Sequence, residues 1–123
     1  MVCFSAVPPE KMLALRRWRR GLQRWSFTPY GLAVRRETLA RRGAQPVCYA
    51  SRAELAQATP TARLFMQQES SSGQNWRAEE EWRIAGDVDL SKIDPAEMLA
   101  FVTTPAEAQK ITGTFGVRAE IVE

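Results

Sequence analysis

The sequence predicts an α+β fold, with a small mixed β-sheet and several short helices in a single compact domain over residues 1–123. A chain of 123 residues that is 45% apolar and 25% charged is large enough to bury one core but too short for two. Short apolar runs with strand composition alternate with helical patterns along the chain. Because no glycine-rich phosphate loop follows any of these runs, we favour an α+β fold over a doubly wound nucleotide-binding fold.

The first part of the chain is predicted to form a strand and a long helix. Residues 2–7 have the composition of a short buried strand, which Pro8-Pro9 ends. Apolar residues then recur at spacings of three and four, which predicts one face of a helix: Met12, Leu15, Trp18, Leu22 and Trp25. Most arginines of this segment fall on the other side, so the helix is predicted to be basic and amphipathic, interrupted only by Gly21.

The middle of the chain alternates short strands and short helices. A turn at residues 28–31 precedes a predicted strand at 32–34, a helix at 37–42 that Gly43 ends, and a strand at 46–50. Ser51 and Glu54, three residues apart, form a capping box that opens a helix. Thr59-Pro60 predicts the start of another helix, which reaches about Gln68.

The last part of the chain is predicted to contain a polar loop, three strands and one helix. Serine and glycine at 70–73 predict the loop, and residues 75–84 predict an acidic strand. A turn at Gly86-Asp87 and a strand at 98–103 follow. Thr104 and Pro105 open a helix for which Gly113 is the expected end. Residues 117–122 alternate apolar and polar types and predict a closing strand.

Composition excludes several kinds of site. The chain has no histidine, so it contains neither a Ser-His-Asp nor a Cys-His nucleophile system and no histidine metal ligand. Two cysteines, Cys3 and Cys48, are too few for a four-thiolate zinc site, so no metal site is predicted. Both lie in short apolar runs, and we expect buried, reduced thiols. No apolar run approaches the roughly 18 residues of a membrane helix and no secretion signal is present, so we expect a cytoplasmic protein without membrane contacts.

Charge is distributed unevenly along the chain. Residues 1–60 carry 11 Lys+Arg against 3 Asp+Glu, a net charge of +8, and residues 61–123 carry 6 against 11, a net charge of −5. Such an asymmetry suits attraction within the fold as well as attraction of a partner. Arginine outnumbers lysine 14 to 3, which favours bidentate pairing with carboxylate or phosphate but also fits a genome rich in G and C.

Three short segments together resemble a known family. They are Met1-Val2-Cys3-Phe4 with Val7-Pro8, then Tyr30-Gly31-Leu32-Ala33 leading to the Gly-Ala-Gln-Pro-Val-Cys-Tyr run at 43–49, then Glu79-Glu80-Glu81-Trp82-Arg83. In this order they resemble the AbiGi type of abortive phage-resistance proteins and a related bacterial family of unknown function. The resemblance implies a bacterial protein of phage defence or mobile elements. Family members usually carry a segment before the first motif, so an edge of the sheet is expected to be open or covered by a second copy of the chain.

The candidate site residues lie in the strand predicted after the polar loop. On a strand, Glu79, Glu81 and Arg83 share one face, whereas Trp82 and Ile84 lie on the other. This arrangement puts two carboxylates, called here the acidic row, beside a guanidinium. It is compatible with a solvated face, an internal ion-pair network or the floor of an active site.

Two interpretations of the acidic row involve no chemistry. In the first, the row and its guanidinium pair with Arg16 or Arg20 of the basic helix, and each surface pair contributes about 0 to 1 kcal/mol. In the second, Trp76 and the acidic row form a face that recognises a partner. Arginines interleaved with Trp18 and Trp25 are also compatible with nucleic-acid binding. We favour this interpretation less, because tryptophan in an apolar stripe more often belongs to the core.

A third interpretation is catalytic. Two carboxylates on one face repel each other, so one pKa is expected to rise, and a carboxylate with a raised pKa suits a general base. The row resembles the Glu-x-Glu of ADP-ribosyltransferases, which implies NAD as substrate, Glu81 as the leading catalytic residue and Glu79 in support. In this chain Arg35 or Arg36 would have to hold the NAD, because the first strand offers only Ser5.

From these patterns we expect a binding or interaction module that self-associates and has no evident cofactor. The alternative is an NAD- or nucleotide-dependent transferase, which would use NAD. The residues that we expect to take part in binding are Arg83, Trp76, Arg16, Arg20 and Arg35.

Overall fold

The computed structural model describes residues 1–8, 11, 18–19, 24–25, 30–69 and 80–122, and it confirms the α+β class. The chain divides into two compact units. Unit 1 comprises Met1–Val7 and Leu39–Val88, and unit 2 comprises Pro8–Thr38 and Asp89–Glu123. The assignment of residues 1–123 to a single domain stays a prediction.

Short strands and helices alternate through the described residues. The strands are β1 (Val2–Ser5), β2 (Trp18–Arg19), β3 (Arg24–Trp25), β4 (Gly31–Val34), β5 (Gln45–Pro46), β6 (Cys48–Ala50), β7 (Met66–Gln68), β8 (Glu81–Ile84), β9 (Met98–Val102) and β10 (Arg118–Ile121). The helices are α1 (Arg36–Arg41), α2 (Arg52–Gln57), α3 (Pro60–Arg63) and α4 (Pro105–Phe115). Two 3-10 turns, Leu90–Lys92 and Pro95–Glu97, precede β9. None of the described helices is long and apolar enough to cross a membrane.

Unit 1 contains an antiparallel sheet in which β8 is the central strand. The order is β1-β8-β5, with Trp82 opposite both Phe4 and Pro46 and with Ile84 opposite Val2. Ile84 is buried, together with Val7, and contributes to the core of the unit. The central position of β8 gives its side chains neighbours on both sides, which matters for the charged residues that it carries.

A second, parallel pair of strands completes the described sheets of unit 1. Strands β6 and β7 pair with Cys48 opposite Met66, and α2 and α3 connect them. The capping box opens α2 as predicted: the Ser51 hydroxyl accepts from the Glu54 N–H at 3.2 Å, and the Glu54 carboxylate accepts from the Ser51 N–H at 3.3 Å.

Two sequence predictions in this region are corrected. The strand predicted at 46–50 is divided at Val47, whose N–H donates to the Glu81 carbonyl at 2.8 Å, whereas the next N–H, that of Cys48, donates to the Phe65 carbonyl at 2.8 Å. The chain therefore changes sheets there. The helix predicted to reach Gln68 ends at Arg63, and β7 follows, because pairing with β6 satisfies the backbone groups that a longer helix would have used.

Unit 2 contains a mixed sheet with the order β10-β9-β4. Strand β9 is antiparallel to β4 and parallel to β10, and α4 forms the crossover between β9 and β10. One face of β9 is buried through Met98, Ala100 and Val102. Helix α4 runs past Gly113 and ends at Gly116, which has a left-handed backbone (φ 68°), so the predicted end was one turn too early.

The predicted basic helix is wrong at two of its described segments. Trp18–Arg19 and Arg24–Trp25 are the short strands β2 and β3, paired antiparallel, and not parts of one helix. Gly21 in a helix interior costs about 1 kcal/mol relative to alanine, and tryptophan favours strands, so local propensity outweighs the spacing of three and four. The other residues of this prediction, among them Arg16 and Arg20, lie outside the described residues.

Candidate functional site

The charged side chains of β8 lie on the same sheet face as two residues of β1. Glu81 is opposite Ser5, and Arg83 is opposite Cys3. Since directly opposed residues project from the same face, these four side chains form one cluster, called here the β1–β8 cluster. The alternation predicted from the sequence therefore holds from Glu81 to Ile84.

The predicted acidic strand is interrupted at Glu80. This residue has a left-handed backbone (φ 46°), so the regular alternation does not continue backwards through it, and β8 starts at Glu81. The argument that placed Glu79 and Glu81 on one face needs an extended residue 80 and therefore fails. Glu79 and Trp76 themselves lie outside the described residues.

Arg83 is held by a complete set of hydrogen bonds within unit 1. Its Nε donates to Glu81 Oε2 at 2.6 Å, and one terminal nitrogen, Nη2, donates to Glu81 Oε1 at 3.2 Å and to Gln67 Oε1 at 3.0 Å. The other, Nη1, donates to the carbonyls of Leu64 at 3.2 Å and Met66 at 3.0 Å. A guanidinium has five N–H donors, and each has an acceptor. The residue is 8% exposed, so the structure leaves it no donor for a ligand.

Glu81 is an ionised, paired carboxylate. Burial alone would raise its pKa, but hydrogen bonds from Arg83 and Cys3, together with the charge of Arg83, outweigh burial and hold the pKa below its ordinary value of 4.5. The salt bridge also raises the pKa of Arg83, mainly through the hydrogen bond to Glu81. The expected rise in pKa therefore does not occur at Glu81, because the Arg83 guanidinium is its hydrogen-bonded neighbour. Glu79, the other carboxylate of that expectation, lies outside the described residues.

Cys3 completes the β1–β8 cluster. Partial burial, the hydrogen bond to Glu81 and the negative charge of that carboxylate raise the pKa of the thiol, in this order of size. A thiol with a raised pKa is a poor nucleophile at neutral pH. Both Cys3 and Cys48 are free and exposed, so the prediction of buried thiols was wrong while the prediction of reduced ones agrees with the structure. Short strands at the surface leave these side chains uncovered.

Arg35 belongs to unit 2 and lies in a different setting. It follows β4, and its N–H donates to the Glu97 carbonyl at 3.0 Å. Its side chain is exposed and lines an open depression of about 230 Å³ together with Ala33, Leu99 and Arg118. Within the part of the chain that the structure describes, the Arg35 guanidinium has no hydrogen-bond or ion-pair partner.

The structure thus brings together only part of the predicted site. It joins Glu81 to Arg83 and adds Cys3 and Gln67, neither of which was predicted to belong to the site. Cys3 belongs to the first motif segment and Arg83 to the last, and a pairing of these two segments as neighbouring strands would have placed the thiol near the site. No sequence feature pointed to Gln67, because that residue was predicted to lie in a helix. Over the described ranges, no group of three or more Cys, Asp and Glu residues is arranged to hold a metal ion.

Comparisons with known proteins do not place the chain in a family. No family model, no curated protein and no solved structure matches it.

Proposed function

We propose that this protein is a bacterial, cytoplasmic interaction module of the abortive-infection type, which acts by binding and in a self-associated form. The observation that carries the proposal is the closed Glu81–Arg83 pair. A catalytic or ligand-binding side chain needs a donor or acceptor that remains free for the substrate. All five donors of Arg83 and both oxygens of Glu81 are engaged inside unit 1, so the motif that contains them supports the fold.

The arrangement of the motifs supports the same interpretation. The first and last motif segments lie side by side as β1 and β8, with Val2, Cys3 and Phe4 opposite Ile84, Arg83 and Trp82. Two segments that pair in this way have to be compatible with each other for the sheet to form. Their joint occurrence is therefore explained by sheet pairing, without a common substrate.

The alternative, an NAD- or nucleotide-dependent transferase, receives less support. It would require Glu81 to bind or deprotonate a substrate hydroxyl, whereas its carboxylate is bridged by Arg83 at 2.6 Å and its pKa is lowered. A base with a lowered pKa has little driving force for proton abstraction at neutral pH.

One experiment separates the two functions. Wild type and the Glu81→Gln variant are incubated with NAD, with and without nucleic-acid and protein acceptors, and NAD loss is measured. We expect no NAD consumption by either protein, and a lower free energy of unfolding for Glu81→Gln. Asp87→Asn, at an exposed position in unit 1, is the matched control and should keep wild-type stability. Consumption of NAD by wild type that the folded Glu81→Gln variant has lost would overturn the proposal.

The binding part of the proposal is tested by the association state. Sedimentation equilibrium over a wide range of protein concentration should detect a reversible dimer. A protein that stays monomeric throughout that range would contradict the self-associated form.

A further inference from the structure

Strand β10 carries two charged residues that have no partner within their unit. Arg118 and Glu120 are exposed and lie two residues apart, so their side chains project from the same sheet face. Neither makes a hydrogen bond or an ion pair with any residue that the structure describes. Among the described strands, β10 is at the edge of the β10-β9-β4 sheet, so its outer backbone groups are available for a further strand.

The direction of these backbone groups follows from the pairing with β9. The N–H of Val122 donates to the Val102 carbonyl at 2.7 Å, so the backbone groups of Val122 point towards β9. Because these groups alternate along a strand, those of Arg118 and Glu120 also point towards β9, and those of Ala119 and Ile121 point outwards. A strand added at this edge would form its hydrogen bonds with Ala119 and Ile121.

Charge selects one register for a second copy of the same strand. Two antiparallel copies of β10 related by a two-fold axis can be centred on Arg118, Ala119 or Glu120. An axis at Arg118 would place two arginines opposite each other, and an axis at Glu120 would place two glutamates opposite each other. An axis at Ala119 places each arginine opposite a glutamate of the other copy. Opposite charges at facing positions stabilise a strand pair, and like charges destabilise it.

We propose that β10 is the dimerisation edge of this protein, where two copies pair antiparallel about a two-fold axis at Ala119. This inference rests on the proposed function, because it supplies the surface for the self-association. Ala119 forms a reciprocal pair of N–H to C=O bonds with its symmetry mate. The residues on either side, Arg118 and Glu120, form non-hydrogen-bonded pairs, in which facing side chains lie closest.

Exposed apolar residues at both ends of the strand fit the same register. Ile121 is 49% exposed, and Phe115, which ends α4 just before β10, is 63% exposed. The axis at Ala119 brings Ile121 of the second copy opposite Val117, next to the end of the strand where Phe115 lies. The Val117 carbonyl accepts from the Thr112 hydroxyl at 2.9 Å, so we expect the Val117 N–H, more than its carbonyl, to bond across the interface.

A charge-swap experiment tests the edge and the register together. The dimer dissociation constants of wild type, Arg118→Glu, Glu120→Arg and the double variant are measured by sedimentation equilibrium. Each single variant turns two attractive pairs per dimer into like-charge pairs and should weaken the dimer about tenfold. The double variant restores opposite charges at both positions and should return to within about threefold of wild type. Lys110→Glu, an exposed position on α4, is the matched charge control and should leave the constant unchanged.

A backbone variant provides an independent measurement. Ala119→Pro removes the N–H that we expect to form the central bond, at an edge position where proline is tolerated within a monomer. It should weaken the dimer while circular dichroism shows an unchanged monomer fold.

The possible failures are distinguishable. A wild type that never dimerises would overturn both the self-association and this edge. A dimer whose dissociation constant is the same in wild type and in both single variants would overturn the edge alone and leave the self-association intact. Single variants that weaken the dimer with no restoration in the double variant would overturn the register at Ala119.

Discussion

Strands β8 and β10 carry the same pair of residue types at the same spacing, with opposite outcomes. In each, an arginine and a glutamate lie two residues apart on one sheet face. Glu81 and Arg83 form a salt bridge of 2.6 Å, whereas Arg118 and Glu120 have no partner in the described structure. The comparison shows that the surroundings of a charged pair, more than its sequence pattern, decide whether it supports the fold or remains available for a partner.

The position of each strand in its sheet accounts for the difference. Strand β8 is central, and the carbonyls of Leu64, before β7, and Met66, the first residue of β7, are acceptors for Arg83. These acceptors fix the guanidinium in a plane that meets the Glu81 carboxylate along two hydrogen bonds. Strand β10 has a neighbour on one side only, and its side chains project into solvent, where a pair at this spacing gains little.

The largest predicted effect compares the two arginines directly. Arg83→Met removes the guanidinium that pairs with the Glu81 carboxylate and donates to the Leu64 and Met66 carbonyls, and should lower the free energy of unfolding by about 3 kcal/mol. Arg118→Met should change it by less than about 0.5 kcal/mol, because the side chain is exposed and unpaired. Urea denaturation of both variants, at a concentration where wild type is monomeric, measures the difference. Equal losses of unfolding free energy in the two variants would contradict the difference between β8 and β10.

The next effect is a dependence on pH that belongs to Glu81. Its pKa is lower in the folded protein than in the unfolded chain, so its contribution is fully present above about 4.5 and is lost as the pH falls through the folded pKa. We expect Glu81→Gln to cost about 1 to 2 kcal/mol at neutral pH, and the gap from wild type to narrow below pH 4.5.

Glu107 also contributes to the pH dependence of stability, because hydrogen bonds from Thr104 and Thr103 lower its pKa as well. Wild type and Glu81→Gln share this contribution, so the difference between their stability curves isolates Glu81. A gap that stays constant from pH 7 to pH 3 would show that the Glu81 carboxylate has an ordinary pKa in the folded protein.

The arrangement of the charged residues around β8 could be predicted only in part. Alternation correctly placed Glu81 and Arg83 on one face, since two residues of a regular strand obey it whatever their neighbours. The other acceptors of Arg83 were not predictable, because they lie in the 64–67 segment, which was assigned to a helix. The left-handed backbone at Glu80 has no local sequence signal, and it removed the basis for pairing Glu79 with Glu81.

Elsewhere, the secondary-structure predictions were correct where the local sequence signal was strong. The capping box at Ser51 and the strands predicted at 32–34 and 98–103, observed at 31–34 and 98–102, were found because turn and cap chemistry acts within a few residues. The helix at 12–25 was wrong at Trp18 and Trp25, since a spacing of three and four also fits two strands joined by a short connection.

The smallest predicted effect concerns the Cys3 thiol. Its pKa is raised by partial burial and then by Glu81, so Glu81→Gln should lower that pKa and speed alkylation of Cys3 a few-fold at pH 8. The rate is measured with iodoacetamide in a Cys48→Ser background, and Asp87→Asn is the control. An unchanged alkylation rate would show that Glu81 does not raise the pKa of the Cys3 thiol.

The central claim, that Glu81 and Arg83 act together as a structural pair, is tested most directly by a double-mutant cycle. Urea denaturation of wild type, Glu81→Gln, Arg83→Met and the double variant gives the coupling free energy between the two side chains. We predict a coupling of about 1 to 2 kcal/mol, with the double variant little less stable than Arg83→Met. Additive losses, with a coupling within about 0.5 kcal/mol of zero, would contradict the account.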